Sequence, residues 1–147
     1  GITLLNRGCG FNLKRGHPNC VGGGKRPYHT IIPAFVTRGG EPLTSFGVMG
    51  GHMQPQGHVQ VMVRMADHDQ NPQAALDAPR WYVDMDFRVA LEPGFSPKVT
   101  GDLQGRGHLF MEEFDSSLFG GGQAIYRMQH GYCAASDPRK DGQAVGF

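Results

Sequence analysis

The sequence predicts an α+β fold. Segments of strand and helix character are mixed without a regular strand–helix–strand alternation. A β-branched hairpin fills residues 30–49, and an amphipathic helical pattern follows it directly. A chain of 147 residues suits one domain, and its 39% apolar content allows a modest core. We therefore expect a single partial domain over residues 1–147, partial because the chain opens in mid-strand and without Met.

The elements follow in order. Residues 2–5 read as a short strand entering the turn Asn6-Arg7-Gly8. Residues 12–27, with Gly16, Pro18, Gly22, Gly23, Gly24 and Pro27, form a long loop. Residues 30–37 (TIIPAFVT) and 43–49 (LTSFGVM) are the arms of an antiparallel hairpin turning at residues 38–42, with Pro33 pointing to an edge or an irregularity. Both arms are apolar on two faces, which predicts a sheet covered on both sides. After Gly50-Gly51, Pro55 fits a first helical turn, and Val59, Met62, Val63 and Ala66 define the expected buried face. Asn71-Pro72 starts a short helix ending before Pro79, and Ser96-Pro97 starts a third through Leu103, stopped by Gly105 and Gly107. Residues 81–82, 87–90, 108–111, 123–126 and 132–135 read as further strands.

Composition excludes several classes. Fourteen basic and thirteen acidic residues leave a formal charge of +1, with no electrostatic case for nucleic acid or a membrane surface. No apolar run approaches the roughly 20 residues of a membrane span. Cys9, Cys20 and Cys133 match no zinc spacing and read as free thiols, with a Cys9–Cys20 bridge the other reading. The seven histidines are scattered and form no ligand pattern, so neither metal nor cofactor is expected. The compartment cannot be read.

Met49-Gly50-Gly51-His52 is the strongest local feature. A strand–Gly-Gly–helix junction presents free backbone N–H groups at the positive end of a helix dipole, as an acyl-transfer enzyme requires to hold a tetrahedral oxyanion. The same four residues also suit a turn that merely packs helix on sheet. Lys25-Arg26-Pro27 reads as a solvated basic turn, and Asp137-Pro138-Arg139 as a capped surface turn with a local ion pair.

Six segments occur in one order: 1–11 (GITLLNRGCGF), 24–33 (GKRPYHTIIP), 46–56 (FGVMGGHMQPQ), 71–81 (NPQAALDAPRW), 92–97 (EPGFSP) and 136–142 (SDPRKDG). Together they closely resemble the C-terminal, small subunit of γ-glutamyltranspeptidases, particularly the acylase-like branch. The resemblance implies an N-terminal-nucleophile (Ntn) hydrolase with a four-layer αββα sandwich. Here the sandwich would be incomplete, because the N-terminal strands with the nucleophilic Thr lie upstream of Gly1.

Several consequences are expected from that resemblance. The precursor cleaves itself, and a new N-terminal Thr takes up the acyl group of a γ-glutamyl or related glutaryl-type amide and passes it to water or an amine. Gly50 and Gly51 match the oxyanion-hole pair. Neither Thr3 nor Thr30 is the nucleophile, so the isolated chain is expected to be inactive. Its partners are the missing N-terminal segment or large subunit and a small-molecule amide. Where well-known members bind the glutamyl α-amino group through a Gln and an Asp, this chain has Arg7 and Gly10. Where they hold the α-carboxylate with two serines, it has His29 and Thr30. These changes point to a donor lacking a free α-ammonium group, and an Asp restored at position 10 is expected to improve γ-glutamyl use. Arg7 has a second reading as the partner of Asp137 or Asp141. With the resemblance, Lys25-Arg26 and Asp137-Arg139 are expected to be charge pairs that pin the loop and the C-terminal segment. A non-catalytic family member, used as a binding or structural module, is the alternative for the whole chain.

Overall fold

A computed structural model describes Ile2 and residues 5–146. The chain divides into two compact units, Gly1–Ile31 and Ile32–Phe147. The expected strand over residues 2–5 includes Thr3 and Leu4, which lie outside the described residues.

In the first unit, a 3-10 turn spans Arg7–Gly10, closed by the Phe11 N–H on the Gly8 carbonyl at 3.1 Å. The long loop is held by polar clamps. Asn12 and Cys20 form an isolated parallel bridge. The Asn19 side chain donates to the Gly10 carbonyl and accepts from the Tyr28 N–H at 2.9 Å. Lys25 Nζ donates to the carbonyls of Pro18 and Cys20 at 2.7 and 2.8 Å. Lys25 thus pins the loop as expected, but through carbonyl oxygens and not through a charge pair. All three cysteines are free thiols.

In the second unit, β1 (Ala34–Arg38), β2 (Glu41–Met49), β6 (Gly121–Arg127) and β7 (Tyr132–Ser136) form an antiparallel sheet in the order β1-β2-β6-β7. The expected hairpin is present. Pro33 precedes β1, an edge strand, and the register shifts between Val36 and Thr37. A smaller sheet has β4 (Arg88–Leu91) between β3 (Trp81–Val83), antiparallel to it, and β5 (Leu109–Phe110), parallel to it. Helix α1 (Met53–Ala66) packs on β2, and α2 (Pro72–Asp77) on β6 and β7. Helix α3 (Pro97–Gly105) starts at Ser96, whose hydroxyl accepts from the Val99 N–H at 3.2 Å. Asn71 caps α2 in the same way, accepting from Ala74 at 2.9 Å.

The core lies between the four-stranded sheet and the helix pair: Phe46, Val48, Val61, Ala75, Leu76, Ala124 and Ala135. Along β2 the alternation is clear, with Thr44, Phe46 and Val48 buried and Ser45 and Met49 exposed. The opposite sheet face carries Phe35 and Ile125, 65% and 51% exposed. Covering on both sides was expected; the described residues cover one.

Helix α1 also departs from expectation. Its buried residues are Met53, Gln54, Gly57, Gln60 and Val61, whereas Val59 and Ala66 are exposed. The periodic apolar set pointed to the wrong face because two glutamines are buried by hydrogen bonding, which hydropathy does not register. Gln60 accepts from the Trp81 N–H at 3.0 Å and donates to the Trp81 carbonyl at 2.9 Å. Gln56 treats Val83 alike, at 2.8 and 3.0 Å. One turn apart, the two amides pair with the β3 edge as a neighbouring strand would. Gln73 does the same for Ser136 of β7, at 3.1 and 2.9 Å. His58 bonds to the interior strand β2 beyond the end of its pairing with β1: its Nε2 accepts from the Val48 N–H at 3.2 Å, and its ring meets Phe46 edge-on at 5.3 Å.

Candidate active site

Strand β2 ends at Met49, and α1 begins at Met53. Between them Gly50 has φ +127° and Gly51 φ +60°, conformations that L side chains rarely adopt. Their carbonyls are used by the helix: Gly50 accepts from the Met53 N–H at 3.1 Å and Gly51 from Gln54 at 3.2 Å. Gln54 Nε2 adds a bond to the Gly51 carbonyl at 3.3 Å, and its Oε1 accepts from the Ile32 N–H at 3.4 Å. Both glycines are exposed, and among the described residues neither of their N–H groups has an acceptor. Two free amide donors thus stand at the N-terminal end of a 14-residue helix, where the dipole favours negative charge.

The turn rests on the entrance to β6. A Cβ on Gly50 would sit 3.0 Å from Gly120 Cα and 3.1 Å from Met53 Cβ. Gly120, with φ +67°, lies so close beneath β2 that a Cβ there would overlap the Met49 carbonyl oxygen. Residues 119–122 are held by a buried ionic cluster. Arg80, fully buried, donates from Nη1 to the Phe119 carbonyl at 2.9 Å and from Nη2 to Asp137 Oδ2 at 2.5 Å and the Leu76 carbonyl at 3.3 Å. Asp137, equally buried, accepts the Gly122 N–H at 2.7 Å, while its own N–H donates to the Gly122 carbonyl at 3.1 Å. Arg139 donates to both Glu92 oxygens, to Asp137 Oδ1 at 3.1 Å and to the carbonyls of Leu76 and Ala78 at 2.8 and 3.0 Å.

Burial alone would push the Asp137 carboxyl up. The Arg139 N–H, the Arg80 charge and the Gly122 N–H outweigh it and hold the pKa below the ordinary range. Burial lowers the pKa of Arg80, against the opposing pull of Asp137. For Arg139 burial also works against the charge, but the bonds to Glu92 and Asp137 win and the pKa is raised.

The remaining sequence candidates, Arg7, His29 and Thr30, belong to the first unit. Arg7 Nη1 reaches Thr30 Oγ1 at 3.5 Å, the outer limit of a hydrogen bond, while the adjacent His29 is exposed. Gly10 has no room for a side chain, since a Cβ there would overlap the Tyr28 carbonyl oxygen. An Asp at position 10 therefore requires Tyr28 to move.

Sequence reasoning placed Asp137 and Arg139 in an architectural pair and missed their partners Arg80 and Glu92. Both partners stood inside the matched segments 71–81 and 92–97, but nothing local links Arg80 to a residue 57 positions away.

The backbone arrangement is that of the Ntn hydrolases. The cephalosporin acylase from Bacillus halodurans superposes with a TM-score of 0.87 at 46% identity, over 100% of this chain and 28% of that one. A γ-glutamyltranspeptidase from Pseudomonas nitroreducens superposes with a TM-score of 0.78 at 25% identity, over 100% of this chain and 81% of that one. The sequence model of the gamma-glutamyltranspeptidase family matches residues 1–147, and the chain belongs to that family. Among curated relatives, the glutathione hydrolase-like YwrD proenzyme of Bacillus subtilis is 36% identical over all of this chain. The oxamate amidohydrolase proenzyme of Klebsiella pneumoniae is 30% identical, again over all of it. The chain spans 29% of the length of each of these two relatives.

Proposed function

We propose that this chain is the C-terminal part of the small subunit of an N-terminal-Thr amidohydrolase or acyltransferase. It supplies the oxyanion hole and part of the substrate pocket, and the nucleophile comes from polypeptide that precedes it. One observation carries the reading: the Gly50–Gly51 turn leaves two adjacent amide donors free at a helix N-terminus, in a member of a family of acyl-transfer enzymes. When the nucleophile attacks an amide carbonyl, the oxygen gains a full negative charge. Fixed N–H donors stabilise that charge more than the neutral ground state, so they lower the barrier without tightening substrate binding.

Arg7, His29 and Thr30 are assigned to the acyl donor. Arg7 donates to the Thr30 hydroxyl, which keeps its own proton to donate, and the guanidinium and that O–H together suit a carboxylate on the acyl chain. Gly10, pressed against the Tyr28 carbonyl, offers no acid to an α-ammonium group. The preferred donor is therefore an amide without that ammonium, of the glutaryl type. Names among the relatives, an acylase of cephalosporins and an amidohydrolase of oxamate, support a donor range wider than γ-glutamyl compounds.

The test uses the complete precursor and two anilides, glutaryl and γ-glutamyl. Wild-type enzyme should favour the glutaryl compound in kcat/KM. Gly51→Ala, which meets open space but must hold φ +60°, should lower kcat with KM nearly unchanged, by up to the 10²–10³-fold typical of a lost oxyanion donor. An unaltered kcat in that variant refutes the oxyanion assignment. A preference for the γ-glutamyl compound refutes the donor assignment.

A further inference from the structure

We propose that Arg80 and Asp137 are positioning residues for the Gly50–Gly51 turn, acting through the backbone of residues 119–122; the inference rests on the oxyanion reading of that turn. Gly50 leans on Gly120, and Gly120 leans on the Met49 carbonyl, so the aim of the two free amides depends on where Gly120 lies. Positions 120–122 are all glycine, so no side chain of their own interlocks there, although Lys140 and Leu76 pack closely over Gly121 and Gly122. The ends of the stretch are fixed by polar bonds. Arg80 holds the Phe119 carbonyl at 2.9 Å, and Asp137 holds the Gly122 N–H through its carboxylate at 2.7 Å and the Gly122 carbonyl through its own N–H at 3.1 Å.

The space around the clamp fits this role. A Cβ on Gly122 would lie 2.6 Å from Leu76 Cδ2 and 3.4 Å from both Arg80 Nη2 and Asp137 Oδ2. The glycine there makes room for Leu76, whereas the guanidinium and carboxylate lie at the edge of ordinary contact and reach the main chain through hydrogen bonds. Neither charged side chain reaches solvent, and neither touches Gly50 or Gly51 directly in a hydrogen bond. Displacing a catalytic group by about 1 Å can cost about 10²-fold in rate, so a loosened clamp should appear in turnover.

The experiment uses the complete precursor with Asp137→Asn, Arg80→Lys and the double variant Arg80→Met/Asp137→Leu. Exposed Arg127→Gln, from a surface pair with Glu41, is the control. Each is measured for Tm, for kcat and KM, and for the affinity of a boronate that mimics the tetrahedral adduct. The single variants should lose about tenfold or more in both kcat and boronate affinity, with KM within about twofold. The double variant leaves no stranded charge, so its Tm should rise above that of Asp137→Asn, short of wild type because the Phe119 carbonyl and Gly122 N–H lose their partners, while boronate affinity stays low. Recovery of boronate affinity together with Tm would overturn the proposal, because the pair would then serve only stability. Unchanged boronate affinity in the folded single variants would overturn it as well. Gly51→Ala separates the two levels: if it leaves kcat intact, the oxyanion reading fails and this inference falls with it. If Gly51→Ala lowers kcat while Asp137→Asn does not, only the positioning role is refuted.

Discussion

Replacing Gly57 by Ala should destabilise the protein, although the residue sits inside a helix where alanine is the better former. A Cβ at this position would lie 2.6 Å from Val48 Cγ1, 3.0 Å from Val48 Cβ and 3.3 Å from Val48 Cγ2. Carbon atoms in comfortable contact stand about 3.5–4.0 Å apart, so α1 must lift from β2 by nearly an ångström or Val48 must leave its rotamer. Overpacking of that kind costs about 1–3 kcal/mol, and the helix gains only about 0.5–1 kcal/mol from losing glycine. The net expectation is a loss of about 1–2 kcal/mol. Val48→Ala alone should also destabilise, by about 1.6 kcal/mol for two buried carbons at about 0.8 kcal/mol each, before any cavity term. Combined, the two changes are not additive. The methyl introduced at position 57 enters space that the Val48 methyls vacated, and the coupling should fall within about 0.5–3 kcal/mol in the compensating direction. Urea unfolding of wild type, both single variants and the double variant completes the cycle. A stabilised Gly57→Ala protein, or strict additivity, would refute the close approach of α1 to β2.

Two further outcomes follow from the side chains that bond to strand backbone. Gln60→Leu raises both hydropathy and helix propensity, yet should cost about 2–4 kcal/mol. It strips the Trp81 N–H and carbonyl of their partners, and each buried unpaired group costs about 1–3 kcal/mol. A shift in the urea midpoint and faster amide exchange at Trp81 are the readouts, and an unchanged midpoint excludes the strand-mimic role. Burial lowers the pKa of His58, against a smaller opposing bond to the Gln54 backbone, and the neutral ring is the form that accepts from Val48. The unfolded state then binds more protons than the native state below about pH 6.5, so the His58 contribution is complete above that pH and declines on acidification through the depressed native pKa. His58→Phe should flatten that part of the stability–pH curve, and a profile unaltered in the variant would contradict the assignment.

Much of the secondary structure was legible because its signals are local. Asn71-Pro72 and Ser96-Pro97 each join a capping acceptor to a residue preset for the first helical turn, and the structure starts both helices there. The hairpin and its turn were legible from two β-branched runs around Gly39-Gly40. The face of α1 was not. Gln54 and Gln60 are buried at 8% and 6% exposure, and their suitability for burial depends on backbone groups of Ile32, Gly51 and Trp81. Hydropathy assigns a glutamine to solvent and has no means of registering a strand edge that needs its amide. The candidate site divided in the same way. The Gly50–Gly51 turn follows from two adjacent glycines between a strand and a helix. Arg80, inside an unremarkable Ala-Pro-Arg, acquires its role only when the fold brings Asp137 and Phe119 to it.

The abundance of glycine, 23 residues, has a consequence for how the site is kept in place. Where β2, β6 and α1 converge, Gly120 lets two main chains approach to a distance that any side chain would block, and Gly57 lets the Val48 side chain sit against the helix backbone. Close approach brings the free amides, the helix end and the β6 entrance into one small volume. The glycines at 120–122 themselves contribute no side chain to interlock with the surrounding core. Directional bonds must then supply the precision, and the pair at 0% exposure, Arg80 and Asp137, supplies them in a buried setting where losing one partner strands a charge. Stability and aim are therefore coupled at this junction. A substitution that merely loosened packing elsewhere would lower Tm and leave turnover of the folded enzyme intact. One that disturbed this pair should lower turnover even in molecules that remain folded.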